Sequence, residues 1–166
     1  MSNLYISHET AFWIWRKMGD HAFWALKPTR MRSLSNSNPT HNTLTRFKRD
    51  HPDLLISDID ALVRNKERSH KTGVAFHTCQ KPLPDRSFYI LNEGIYVASP
   101  ELCLMQLARK YTTAQTAKLA MEMCGSYAID VFDEDGFGKR MPLTNAQKLK
   151  AYAARLYSPN SNGKGV

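Results

Sequence analysis

The stretch GIYVASPELCLMQLARKY, residues 94–111, changes its hydrophobic period in the middle of an apolar run. Gly94 to Ala98 alternate, which is the two-residue period of a strand. From Pro100 onward Leu104, Leu107, Ala108 and Tyr111 recur at the spacing of one helical face. Between them stands Ser99-Pro100-Glu101. Ser99 suits a helix N-cap, Pro100 has the fixed φ favoured at the first helical position, and Glu101 complements the helix dipole. A chain that makes this joint must stack a helix directly on the strand that precedes it. That points to a mixed fold of sheet and helices.

The residues on either side extend the pattern. SFYILNEGIYVAS predicts a hairpin of two strands around Asn92-Glu93-Gly94, with Gly94 free to take positive φ. DIDALVRN and GVAFHTCQ read as two further strands, the first with Ile59, Ala61 and Val63 on one side. After the hairpin helix, Thr112-x-x-Gln115 forms a capping box for a second helix that buries Leu119, Ala120 and Met123 and ends near Gly125. YAIDVF predicts a short strand and DEDGFGK a turn. Thr144 is the expected cap of a last helix through about Leu156. Near the N-terminus, ISHETAFWIWRKMG predicts a helix capped by Ser7 and ended by Gly19, followed by a shorter piece that stops before Pro28.

These elements predict an α+β fold: a small helical N-terminal lobe over 1–32, then a small sheet with a β-hairpin followed by two to three packed helices. The divisions expected are the lobe, a Ser/Asn-rich connector with a short basic helix over 33–53, an α/β domain over 54–157, and a disordered polar tail over 158–166. The basic helix, HNTLTRFKRDHP, is capped by Thr40 or Asn42.

Charge divides the 166-residue chain unevenly. Residues 1–81 hold 13 Lys and Arg against 7 Asp and Glu, whereas residues 82–166 hold 10 against 8. All six histidines also lie in the first part. A basic region of this kind suits a polyanion, nucleic acid above all, although a charged surface also serves solubility. Arg46, Lys48, Arg49, Arg64, Lys66, Arg68 and Lys71 are the candidates for contact with phosphates. The aromatics Phe12, Trp13, Trp15 and Trp24 admit two readings: core packing, or an exposed surface for a protein partner or for stacked bases. No apolar run reaches the roughly 18 residues of a membrane span. The three cysteines, Cys79, Cys103 and Cys124, have neither disulfide-framework nor zinc-ligand spacing, which predicts a reducing, cytoplasmic setting.

Motifs for chemistry are sparse. His70, His77, Asp58 and Asp60 do not stand at metal-ligand spacings, and DEDGFG departs from the calcium-loop pattern. There is no phosphate-binding glycine loop. Cys79 shares a strand face with His77 without a third partner. A nuclease of the restriction-enzyme type needs an acidic-x-Lys pair on a strand after its first carboxylate, and the strands GVAFHTCQ and SFYIL have none. No cofactor, no metal and no enzymatic activity are expected.

One resemblance adds to this reading. A strand ending in His77, a Leu83-Pro84 element, Gly94-Ile95, Val97 and Ser99-Pro100, then a leucine-rich helix and a second helix, resemble the middle domain of AbiEi-like abortive-infection antitoxins. The likeness spans residues 54–125, and LYISHETAFWIWR resembles the opening helix of an actinobacterial subgroup. The resemblance implies an antitoxin-like regulator that binds DNA, with a cognate toxin as a possible protein partner. Longer relatives carry a domain similar to very-short-patch repair endonucleases, and this chain reads as a shortened member that ends where that part would begin. The matching positions are a fold signature and carry no catalytic role. The expected function is therefore a non-enzymatic, DNA-associated regulator. The alternatives are a module that binds a toxin and an inactive remnant of a restriction-endonuclease-like protein.

Overall fold

Three residues at the N-terminus decide the topology. In the computed structural model, which describes residues 2–18, 25–36, 38–54, 56–65, 71–129 and 137–158, Leu4–Ile6 form strand β1 in the middle of a six-stranded sheet. The elements that follow are α1 (His8–Lys17), β2 (Lys27–Pro28), α2 (His41–Asp50), β3 (Ile59–Val63), β4 (Val74–Thr78), β5 (Phe88–Asn92) and β6 (Ile95–Ala98). After these come α3 (Pro100–Leu107), α4 (Thr113–Met123), β7 (Tyr127–Ile129), β8 (Phe137–Lys139) and α5 (Ala146–Leu156). The sheet order is β2-β5-β6-β1-β3-β4, and β7 and β8 form a separate antiparallel pair. This is the expected α+β fold, with a mixed sheet: β1 runs parallel to β6 and antiparallel to β3, and β3 runs parallel to β4.

The N-terminal segment is thus not a lobe apart from the sheet. Leu4, Tyr5 and Ile6 are at most 2% exposed, and Leu4 N donates to the Gly94 carbonyl at 2.8 Å. A three-residue strand has too few positions to show a period, so the larger helical pattern after it hid it. Tyr5 is held between Phe88 and Tyr96, at ring separations of 5.3 and 5.2 Å.

The hairpin and the joint after it take the form the sequence predicts. Gly94 has φ +69° at the β5–β6 turn. Ser99 Oγ accepts from Leu102 N at 3.1 Å, with Pro100 in the first helical turn. The Thr112–Gln115 capping box is present in both directions. Helix α3 buries Leu102, Cys103, Leu104 and Leu107 and packs against α1. Two caps differ from expectation. Asn145, not Thr144, caps α5 by accepting from Lys148 N at 2.9 Å, while the Thr144 hydroxyl donates to Glu101 Oε1 at 2.6 Å. Ser7 precedes α1 but makes no side-chain cap bond, because its hydroxyl is engaged by His8. Gly19, most of DEDGFGK and the tail from 159 lie outside the described residues.

One buried cation ties the helices together. Arg140 is 3% exposed, and its guanidinium donates to the Trp15 carbonyl at 2.6 Å and the Glu122 carbonyl at 3.1 Å. Those carbonyls close the C-terminal turns of α1 and α4, where a positive group offsets the negative end of each dipole. Trp15 is fully buried beneath this contact, with its indole N–H donating to the Ala98 carbonyl at 2.7 Å and its edge against Tyr89.

Candidate functional site

Two polar regions flank the β3–β4 pair. The first is a cleft on α2. Thr40 caps this helix by accepting from Thr43 N at 3.3 Å, and the helix turns Thr43, Leu44 and Phe47 inward. Lys48 and Arg49 remain on the outside. His41, Leu44, Thr45 and Lys48 then form one wall of a cleft of about 390 Å³, and Lys71, Thr72 and Val74 form the other. Lys48 also borders a second hollow of about 220 Å³ with Phe47, His51 and Ile59. Gly73 stands at φ +76°, and a Cβ there would lie 3.0 Å from Lys48 Nζ. Only glycine leaves both the backbone angle and the space for that ammonium group.

The five basic candidates among the described residues have different surroundings. Lys48 and Lys71 come together across the cleft, and among the described residues neither has an ion-pair partner. Arg64 is exposed just beyond β3. Arg49 pairs with Asp50 at 3.2 Å on the surface. Arg46 is diverted inward: it is half-buried and donates through Nη2 to the Glu93 carbonyl at the hairpin turn. That hydrogen bond ties α2 to the hairpin turn. Lys66 and Arg68 lie outside the described residues.

The aromatic candidates also divide. Phe12 and Trp15 are 5% and 0% exposed, so they belong to the core and offer no contact surface. Trp13 is half-buried, with the Arg16 guanidinium 4.9 Å and the Lys17 ammonium 5.7 Å from its ring centroid. Trp24 lies outside the described residues.

The second region is a histidine pair with a carboxylate that spacing could not disclose, because His8, Asp60 and His77 come from three elements. His8 opens α1 with φ +46°, a left-handed conformation that a non-glycine residue adopts at a cost of about 1–2 kcal/mol. Its ring lies on that of His77 with centroids 3.8 Å apart and planes inclined by 24°. In β3 and β4 the partners are Asp60 with Ala75 and Leu62 with His77, so Asp60 and His77 are diagonal neighbours on one face. His77 Nε2 donates to Asp60 Oδ1 at 2.7 Å. The other carboxylate oxygen accepts from Thr10 N at 3.2 Å and from the Thr10 hydroxyl at 3.3 Å. Asp60 thereby supplies the cap that Ser7 does not.

Three polar groups of His8 are held by different partners. Nδ1 is 3.0 Å from Ser7 Oγ, the backbone N–H donates to Gln106 Oε1 at 3.1 Å, and the carbonyl accepts from Cys103 Sγ at 3.2 Å. Burial first, and then the neighbouring His77, lower the His8 pKa to about 4. For Asp60, burial alone would raise the carboxyl, but the hydrogen bonds from His77 and Thr10 and the nearby histidines outweigh it and hold it below its ordinary value. Burial pushes the Cys103 thiol far up, so it serves as packing and not as a nucleophile. Beside the pair, Glu9 accepts from Lys110 at 2.7 Å and from the Tyr111 hydroxyl, and these bonds lower its pKa.

Among the described residues no group of three or more His, Cys, Asp and Glu is placed to hold a metal ion, and no helix is long and apolar enough to cross a membrane. No family model matches the sequence, and no curated protein or solved structure shows significant similarity to it.

Proposed function

We propose that this chain is a nucleic-acid-associated regulator that acts by binding rather than by catalysis, and that its phosphate-contacting surface is the α2 cleft. The observation that carries this reading is the meeting of Lys48 and Lys71 across one cleft, with no acidic partner among the described residues. Two uncommitted ammonium groups on facing walls draw in a polyanion and position it without reading its sequence. His41 and Thr45, with the ring Nε2 and the hydroxyl 3.5 Å apart, line the same wall. The resemblance of residues 54–125 to AbiEi-like antitoxins fits a DNA-bound regulator, and the basic balance of residues 1–81 supplies the long-range attraction.

A mobility-shift titration of duplex DNA from about 50 mM to about 200 mM salt tests the reading. Binding falls steeply with salt, and Lys48→Ala and Lys71→Ala each reduce the slope of log affinity against log salt by about one. Absence of binding at low salt, or unchanged slopes in both variants, refutes it.

A further inference from the structure

The histidine pair goes beyond phosphate binding. We propose that the His8–His77 stack, closed by Asp60, is an acid-sensitive latch that holds the start of α1 on the β3–β4 edge of the sheet and opens when His8 takes up a proton. The geometry supports this at three points. First, rings 3.8 Å apart are too close for two positive charges without strong repulsion. One carboxylate, Asp60, faces the pair, and its oxygens already serve His77 and Thr10. Second, His8 holds a left-handed backbone angle that its surroundings must maintain. Its ring, N–H and carbonyl are each fastened to a different partner, so loss of the stack releases a strained residue. Third, the latch joins elements far apart in sequence, with Ser7, Thr10, Asp60, His77, Cys103 and Gln106 meeting at one point.

The charges around His8 define its response. From β4 comes His77, from β3 Asp60, from α1 Glu9, and from the turn after α3 Lys110 with Tyr111; the buried Cys103 lies on α3. His77 and Lys110 oppose a proton on His8, and Asp60 and Glu9 favour one, but burial dominates. The folded value is depressed from 6.5 to about 4. The unfolded chain therefore binds a proton between those values that the folded chain excludes. Stability is greatest above 6.5 and is lost as the pH falls toward 4.

The test is urea unfolding of the full chain at a series of pH values from about 7 to about 4.5, together with NMR titration of its imidazole C–H signals. The folding equilibrium constant falls roughly ten- to hundred-fold across the window. In His8→Asn, whose side chain tolerates positive φ, that decline is largely lost. If the variant does not fold, the titration of the unaltered chain decides: a His8 signal with a midpoint well below 6.5 supports the latch. A midpoint near the ordinary histidine value, or stability that stays flat over the window, overturns it.

Discussion

The histidine pair and the α2 cleft both touch the β3–β4 strands, yet they treat polar groups in opposite ways. Around His8 the network is dense: Asp60 accepts three hydrogen bonds and the His8 backbone makes two. Around Lys48, two lysines line one cleft, and neither has an ion-pair partner among the described residues. A satisfied network stabilises and rigidifies, because leaving any member unpaired is costly. An unsatisfied pair of cations adds little to stability and keeps its charge for an external anion. The proposal gives stability to one region and recognition to the other, and each variant below tests that division.

The largest effect belongs to Asp60→Ala. It removes the α1 cap and leaves His77 without its acceptor, so about 3 kcal/mol of folding stability is lost in urea unfolding. DNA affinity of the folded fraction stays within a few-fold. An Asp60 variant as stable as the unaltered chain would show that the network is ornamental.

Gly73→Ala comes next, since it touches both properties. The positive φ at Gly73 makes a Cβ unfavourable by about 1 kcal/mol, and the added methyl must displace the Lys48 ammonium. A modest fall in stability should accompany a clear fall in DNA affinity. Lys48→Ala separates the two: stability changes by less than about 0.5 kcal/mol, while affinity at low salt declines. If Lys48→Ala destabilises the chain instead, the lysine is a packing residue and the cleft loses its case.

How much of this was legible in the sequence depends on the range of the interaction. The Ser99-Pro100-Glu101 joint, the Gly94 turn and the Thr112–Gln115 box are local, so their residue types state their roles and the structure repeats them. The basic character of α2 was legible as well. Which cations remain free was not, because the Glu93 carbonyl that captures Arg46 is set by tertiary packing. The histidine pair left no trace at all. Ser7 reads as an ordinary N-cap, and only the antiparallel register of β1 with β3 brings Asp60 to Thr10 in its place. His77 stood in the sequence beside Cys79, but its partners were 17 and 69 positions away, at Asp60 and His8. Other residues in the run from His77 to Ser99 have structural reasons: Leu83 and Val97 are core, Gly94 makes the turn, Ser99 caps, and His77 binds Asp60.

The smallest effect sharpens the boundary of the latch. Glu9 lies next to His8, but its own bonds run outward to Lys110 and Tyr111. Its pKa is lowered from 4.5, chiefly by the Lys110 hydrogen bond. A depressed carboxyl contributes stability that is present above its ordinary value and is lost as the pH falls through the folded value. Its window therefore lies below 4.5, whereas that of His8 lies above about 4 and reaches to 6.5. In Glu9→Gln the stability at neutral pH drops by less than about 1 kcal/mol, the range for an exposed pair. The decline below 4.5 becomes shallower, and the decline between 5 and 7 persists. Should Glu9→Gln instead flatten the curve between 5 and 7, the proton that matters there belongs to the Glu9–Lys110–Tyr111 group, and the histidine stack is only its neighbour.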